Sequence, residues 1–133
     1  MFLKQKARHN FFYSTEHHWI FPCDIRNQFY IGLTNYATEC LGDILSVDLF
    51  VKKSLIRENS VFGVVDSVTH TSNLIMPIDC NILETNRLIL EVPELINISP
   101  FKHGWILKFK AKNFSDTEKL LNYKEYESYI GTL

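Results

Sequence analysis

Histidine, cysteine and acidic side chains are the residues of this sequence that could bind a metal ion or act as nucleophiles. His17 and His18 follow Glu16, and a metal site would need further ligands from elsewhere in the chain, for which Cys40, His70 and His103 are the candidates. Adjacent residues of a β-strand point to opposite faces, so His17 and His18 cannot easily hold the same ion. The sequence therefore predicts no metal site.

The cysteines give no stronger indication of catalysis. Cys23, Cys40 and Cys80 are odd in number and include no CxxC pair, which favours free or buried thiols in a reducing compartment over a disulfide framework. The sequence contains no GxSxG, HExxH, GxGxxG or P-loop motif. An enzyme with a site near His17, His18 and His70 is the least favoured interpretation, because no acid–base pair is recognisable.

Composition points to one ordinary globular domain. The chain has 133 residues, of which 46% are hydrophobic and 22% charged, and a formal net charge of −1. These values exclude intrinsic disorder and lack the basic character of a nucleic-acid binder. No apolar run approaches the roughly 20 residues that span a bilayer, so no membrane partner is expected. Residues 1–11 are interpreted as a basic N-terminal tail with Lys4, Lys6 and Arg8, and residues 12–133 as the domain.

The elements that would position these side chains are short strands and three helical segments. Strands are predicted over residues 24–33, 44–51, 61–68, 74–78, 82–86 and 104–111, with a turn at residues 79–81. Helices are predicted over residues 34–41 between an N-cap Thr34 and a C-cap Gly42, over 93–97, and over 115–129, where Ser115 and Glu118 form a capping box. Many short strands at regular spacing are typical of a mainly β sandwich or barrel.

Five separate blocks of this sequence resemble the glycine cleavage system H protein family, in the family's order. They are residues 13–20 (YSTEHHWI), 31–44 (IGLTNYATECLGDI), 62–68 (FGVVDSV), 93–100 (PELINISP) followed by Gly104 and Trp105, and 123–129 (YKEYESY). The resemblance implies a mainly β barrel-sandwich hybrid, similar to a lipoyl domain, with short helices and a C-terminal helix. It also implies a carrier-type or binding protein rather than an enzyme. On this fold, we expect Trp19, Val47, Val64, Leu83, Trp105 and Leu107 to be largely buried.

The sequence departs from the family at the residue that would carry lipoate. Family members place a lysine in a hairpin that aligns with residues 66–77 (DSVTHTSNLIMP), and the lysine position falls on Thr69. No lysine occurs from Ser54 to Phe101. The hairpin and recognition surface implied by the resemblance comprises Asp66, Ser67, Val68, His70, Thr71, Ser72 and Asn73 around that position. Turn glycines of the family are replaced by Lys53, Asn59 and Cys80, and altered turn geometry is expected at Lys53 and Cys80.

Two functions follow from this departure. The favoured one is an H-protein homologue that is not lipoylated, needs no cofactor, and binds protein partners. By resemblance these are the glycine decarboxylase, the aminomethyltransferase or a lipoyl ligase. The alternative is a working lipoyl carrier that shuttles the aminomethyl group on lipoate by an unusual attachment. The resemblance implies a cytoplasmic protein if the source is bacterial and a mitochondrial matrix protein if it is eukaryotic.

Overall fold

The computed structural model describes residues 10–50 and 55–133, whose strands form two sheets. The strands are β1 (Phe12–Tyr13), β2 (His18–Pro22), β3 (Gln28–Leu33), β4 (Ile44–Leu49), β5 (Leu55–Ile56), β6 (Val61–Ser67), β7 (Thr71–Ile75), β8 (Cys80–Thr85) and β9 (Leu107–Ala111). One sheet has the order β1-β2-β3-β9-β8-β5 and the other β4-β6-β7, and all pairs are antiparallel. The mainly β fold class is therefore confirmed.

Four short helices complete the described fold: α1 (Asn35–Leu41), α2 (Leu88–Glu91), α3 (Leu95–Ile98) and α4 (Tyr123–Ile130), with a 3₁₀ helix over Phe114–Lys119. The predicted caps of α1 are confirmed, because the Thr34 side chain accepts a hydrogen bond from the Ala37 amide and the Gly42 amide donates to the Thr38 carbonyl. Helix α3 overlaps the turn predicted over residues 93–97 but begins two residues later and ends one residue later, and α2 was not predicted. Among the described residues, no helix is long and apolar enough to cross a membrane.

A C-terminal helix is confirmed, but its predicted start at Ser115 is wrong, because tertiary pairing divides the predicted segment between the 3₁₀ helix and α4. Tyr13 and Leu121 exchange backbone hydrogen bonds of 2.7 and 2.8 Å, which hold the chain extended between the 3₁₀ helix and α4. The capping box lies at Asn122 and Glu125, not at Ser115 and Glu118. A capping motif is a pattern of near neighbours, so it cannot predict the bridge between Leu121 and Tyr13, which are more than one hundred positions apart.

The expected core is confirmed in part. Trp19 and Leu107 are fully buried, whereas Val47, Val64 and Trp105 are half-buried. The prediction for Leu83 is wrong, since this side chain is 40% exposed. Leu83 belongs to β8, whose first side chains alternate between the core and solvent. The inward-facing positions of this strand are the buried Cys80 and Ile82.

Of the three residues that replace turn glycines of the family, Cys80 is the one at which the structure differs from the sequence prediction. Asn59 has a φ of 68° and adopts the left-handed conformation that asparagine tolerates. Cys80 is a buried strand residue paired with Ile56 and Ala111, and its φ is not positive, so the altered turn expected there is wrong. The turn precedes it, since β7 ends at Ile75. Lys53 lies outside the described residues.

Gly32 is required by the close approach of the indole of Trp19. These residues are paired across β2 and β3, and a Cβ on Gly32 would overlap the indole ring. The Trp19 Nε1 donates a hydrogen bond of 3.0 Å to the Pro100 carbonyl, which fixes the ring in the core. Trp19, near the end of the first resemblance block, is thus a buried residue whose hydrogen bond to Pro100 links β2 to the segment after α3.

Candidate functional site: the β6–β7 hairpin

The β6–β7 hairpin ends in a tight turn at Val68 and Thr69. Asp66 pairs with Thr71, and the Ser67 amide donates a hydrogen bond of 3.0 Å to the His70 carbonyl. Neither turn residue has a positive φ. The turn therefore forms without glycine, and Thr69 lies at the tip where the resemblance places it.

The Ser67 hydroxyl organises this turn. Its Oγ donates to the His70 carbonyl at 2.9 Å and accepts hydrogen bonds from the amides of Thr69 (3.3 Å) and His70 (3.2 Å). Serine and threonine hydroxyls commonly stabilise turns in this way. Ser67 therefore has a structural function inside the predicted recognition surface.

The hairpin tip is fixed to the C-terminal end of α1. The Val68 amide donates to the Asp43 carbonyl at 3.0 Å, and the Thr69 Oγ1 donates to the Leu41 carbonyl at 3.0 Å. Gly42 lies between these two acceptors with a φ of 75°, which favours glycine. The tip thus rests on the end of a helix that the sequence predicted correctly.

Asn97 supports the same helix end, and sequence analysis did not identify it. Its Oδ1 accepts a hydrogen bond of 2.8 Å from the Ile44 amide, and its Nδ2 donates one of 2.9 Å to the Gly42 carbonyl. Its position within the family-like block of residues 93–100 (PELINISP) was the feature of the sequence that could have identified it. Asn97 therefore links α3 to the residues on which the hairpin tip rests.

The hairpin surface offers hydroxyl, amide and carboxylate groups to solvent. Asp66 accepts hydrogen bonds from the Thr71 hydroxyl at 2.6 Å and the Ser46 hydroxyl at 3.2 Å. The residues predicted to form the recognition surface lie on one hairpin, with Asp66, Val68, Thr69, His70, Thr71 and Asn73 exposed and Ser67 and Ser72 half-buried. Val68 contributes an apolar side chain that is 58% exposed. This surface can make hydrogen bonds and one apolar contact, but it contains no amine.

The histidines considered for a metal site are not brought together. No group of three or more His, Cys, Asp or Glu side chains able to hold a metal ion occurs in the described part of the chain. His17 has a φ of 67°, and its Nδ1 hydrogen bonds with the Tyr126 hydroxyl at 2.9 Å, while His70 and His103 are exposed. The His17–Tyr126 pairing was not foreseen from the sequence.

His18 is sealed in the core. It is 1% exposed, its ring centroid lies 5.8 Å from that of Phe62, and neither ring nitrogen has a hydrogen-bond partner of good geometry among the described residues. Burial lowers the pKa of His18 to about 4, opposed by the nearby backbone of Gly32 and Ile75. A neutral imidazole without solvent access cannot serve as a general base toward a substrate.

The three cysteines are free, as expected. Cys23 is half-buried, Cys40 is exposed and Cys80 is buried. Burial raises the pKa of the Cys80 thiol to about 12, and the charge of Asp79 adds to this effect. Cys80 is therefore a small core side chain, not a nucleophile.

The two antiparallel sheets and the exposed hairpin define the class of protein: a mainly β module with a lipoyl-domain-like fold. Residues 11–132 match the family model described as "Glycine cleavage H-protein". The chain belongs to this family, whose members are lipoate carriers and not catalytic enzymes.

Individual relatives cover nearly the whole chain. Glycine cleavage system H proteins of Bacteroides fragilis and Staphylococcus epidermidis are 35% and 38% identical to it, over 90% and 91% of this chain and 93% and 94% of theirs. The crystal structure of the H protein from Mycobacterium marinum is similar with a TM-score of 0.82 and 27% identity, covering 92% of this chain and 98% of that one. The family and fold that the resemblance implied are thus confirmed.

Proposed function

We propose that this chain is an H-protein homologue that is not itself lipoylated and acts as a protein-binding module toward glycine-cleavage or lipoate-handling partners. The observation that carries this proposal is Thr69 at the tip of the hairpin. A lipoyl carrier forms an amide between lipoate and a lysine ε-amine, and Thr69 offers a hydroxyl. The residues present therefore do not fit the lipoyl group.

The neighbourhood of Thr69 supports the same conclusion. No lysine lies between Ser54 and Phe101, so no shift of register within the hairpin supplies an amine. The Thr69 hydroxyl is engaged with the Leu41 carbonyl at 3.0 Å, which gives it a structural function. Threonine at this position is thus part of the packing of the tip.

The geometry of the hairpin supports a binding function. The hairpin, its turn and its contact with α1 are all formed, and the predicted surface residues lie together on it. The partners we propose are the glycine decarboxylase, the aminomethyltransferase or a lipoyl ligase. The relatives named above are bacterial, and for a bacterial source we place the protein in the cytoplasm.

Intact-mass spectrometry of the protein purified from its own source tests the missing modification. We expect the mass of the unmodified chain. A lipoyl adduct would overturn the proposal and would support the alternative function, a working carrier with an unusual attachment. Membership of a carrier family favours that alternative.

Pull-down from extract of the source organism tests binding. The wild-type chain is compared with a variant in which Val68 and His70, the two exposed residues that flank Thr69, are changed to Glu. A matched control changes Lys112 and Glu118, which are exposed and distant in sequence from the hairpin, to Ala. We expect glycine-cleavage or lipoate-handling proteins to be captured by wild type and control only. Equal capture by all three proteins would contradict hairpin recognition.

A further inference from the structure

A second surface feature lies at one end of the larger sheet, where the β2–β3 turn meets the end of β9. Asn27 joins the two, because the Ala111 amide donates a hydrogen bond of 3.0 Å to its carbonyl and its Nδ2 donates one of 2.7 Å to the Ala111 carbonyl. Beside this contact lie three cationic side chains, all of which are exposed: Arg26, Lys110 and Lys112. We call these three residues the basic patch.

The alternation of β9 directs Lys110 outward. The buried residues of this strand are Leu107, Phe109 and Ala111. Lys110 pairs with Gln28 of β3 on one side and with Asn81 of β8 on the other, and both neighbours are uncharged. Lys112 follows the strand, and its amide donates a hydrogen bond of 3.0 Å to the Asp79 carbonyl. Backbone contacts to β3, to β8 and to the segment before β8 thus hold the two lysines in place.

The cations of the basic patch are not neutralised by ion pairs. In the described part of the chain, none of the three forms an ion pair, and Lys119 is the cation of both pairs found there. The Asp79 carboxylate belongs to the segment that contacts Lys112, but it accepts a hydrogen bond of 2.7 Å from the Glu58 amide. The positive charges of the basic patch are therefore available to a ligand.

Lys108, the first lysine of β9, lies outside the basic patch because carboxylates lie near it. Glu84 of β8 is its cross-strand neighbour, and Tyr30 of β3 pairs with it on the other side. Burial raises the pKa of Tyr30. Lys108 opposes this pKa shift, whereas Glu84 and Asp24 add to it, so both carboxylates act at this end of the strand. Positive charge therefore prevails from Lys110 onward.

Two exposed apolar side chains border the basic patch. Phe114 is 54% exposed, and the Arg26 Cζ lies 5.6 Å from the centroid of its ring. Ile25, which precedes Arg26, is 58% exposed. A guanidinium that rests on an aromatic ring keeps its charge and its N–H donors for a ligand. Cationic and apolar groups side by side are complementary to an acidic ligand that also carries an apolar group.

We infer that the basic patch binds an acidic segment of a partner protein in which carboxylates flank an apolar side chain. Alternate residues of an extended chain lie about 6.8 Å apart on one side, so Lys110 and Lys112 can each face a carboxylate of such a segment. The Arg26 guanidinium can donate two parallel hydrogen bonds to a third carboxylate, while Ile25 and Phe114 contact the apolar side chain. A nucleic acid is disfavoured, because a chain with a net charge of −1 lacks the basic excess of such binders.

NMR titration of the whole chain with short peptides tests this inference. The acidic peptide is acetyl-Glu-Glu-Phe-Glu-Glu-amide, and its controls carry Gln in place of Glu or Ala in place of Phe. We expect the acidic peptide to shift the amide resonances of Ile25, Lys110 and Phe114 with a dissociation constant below about 1 mM. The Gln peptide should bind at least tenfold more weakly and the Ala peptide at least threefold more weakly. Raising the salt concentration from about 0.05 M to about 0.5 M should weaken binding of the acidic peptide at least fivefold.

Matched variants identify the site. Arg26→Gln and Lys110→Gln each remove one positive charge of the basic patch, and each is expected to weaken binding of the acidic peptide at least threefold. Lys124→Gln removes an exposed lysine of α4, a helix that contacts β1 at the edge of the larger sheet, and it should leave binding unchanged. Dispersed amide spectra establish that each variant is folded.

Any of four results would overturn the inference: no binding of the acidic peptide, equal binding of the Gln peptide, equal weakening by Lys124→Gln and Lys110→Gln, or tighter binding of a five-residue oligothymidylate. The last would assign the basic patch to nucleic acid. The inference is independent of the proposed function, because neither a lipoyl adduct nor a failed pull-down changes this surface. The hairpin variant should still bind the acidic peptide, and the pull-down control that lacks Lys112 should still capture partners of the hairpin.

Discussion

Thr69 lies at the tip of the hairpin, where the family resemblance places the lipoyl lysine, and its hydroxyl donates a hydrogen bond to the C-terminal end of α1. The Oγ1 lies 3.0 Å from the Leu41 carbonyl, and the side chain is exposed at the turn. A lysine here would lose that hydrogen bond, which contributes about 1 kcal/mol in proteins generally. Its ε-amine would extend into solvent. The Ser67 hydroxyl donates to the His70 carbonyl and the Val68 amide donates to the Asp43 carbonyl, and neither hydrogen bond uses the side chain of residue 69.

We therefore predict that Thr69→Lys is lipoylated by a lipoyl ligase in vitro. Modification is expected to be partial, because His70 and Thr71 add bulk beside the target and the Asp66 carboxylate is engaged by Thr71 and Ser46. Mass spectrometry measures the fraction modified. Thr71→Lys, which places the amine two residues further along, is the matched control and should stay unmodified. Absence of an adduct on Thr69→Lys, with an authentic H protein labelled in the same tube, would contradict the prediction.

His18 makes the stability of the fold dependent on pH. Its pKa is about 4 in the folded protein and near the model-peptide value of 6.5 in the unfolded chain. Below pH 6.5 the unfolded state therefore binds more protons, and the free energy of unfolding falls as the pH drops from about 6.5 to about 4. The full loss is roughly 3 kcal/mol.

Denaturant unfolding at pH 7 and pH 4.5 measures this effect in wild type and in His18→Leu. We expect the variant to lose less stability on acidification, since it removes a buried group that must stay neutral. His103→Leu, at an exposed position, is the control and should behave as wild type. An equal loss of stability in all three proteins would assign the acid sensitivity to other groups.

At the scale of the element, the C-terminal helix α4 begins at Tyr123, directly after its N-cap Asn122, and Asn122 and Glu125 form a capping box. Asn122 accepts a hydrogen bond from the Glu125 amide at 2.9 Å, and the Glu125 carboxylate accepts one from the Asn122 amide at 2.8 Å. We predict that Asn122→Ala lowers the free energy of unfolding by about 1 kcal/mol. Ser115→Ala, at the cap position that the sequence alone indicates, should change it by less than about 0.5 kcal/mol. Thermal or denaturant unfolding compares the two, and a larger effect of Ser115→Ala would be contrary to the observed helix start.

At the scale of the whole molecule, the stability of the larger sheet depends on the fit of Trp19 against Gly32. A Cβ on Gly32 would overlap the indole, which is fully buried and hydrogen bonded to Pro100. We predict that Gly32→Ala lowers the free energy of unfolding by about 3 kcal/mol. Gly131→Ala places its Cβ at an ordinary contact of 3.4 Å and has a helical φ of −66°, so it serves as the tolerated control. Equal unfolding midpoints for the two variants would refute the overlap.

The sequence by itself determined what depends on residue identity and on near neighbours. The absence of a lysine from residues 54 to 101 follows from the sequence directly. The caps of α1 at Thr34 and Gly42 were also predictable, because a cap involves residues only a few positions apart. The family blocks then placed the hairpin and Thr69 at its tip, and the structure has the tip there.

The tertiary structure decided what depends on residues far apart in the chain. The bridge between Tyr13 and Leu121 moved the start of α4 to Tyr123, and the alternation that puts Ile82 inside left Leu83 in solvent. The burial of His18 and the joining of His17, Thr34 and Tyr126 into one network likewise arise only when β2, α1 and α4 pack together. No local pattern carries this information, because the contacts that stabilise these arrangements form between elements that the sequence separates.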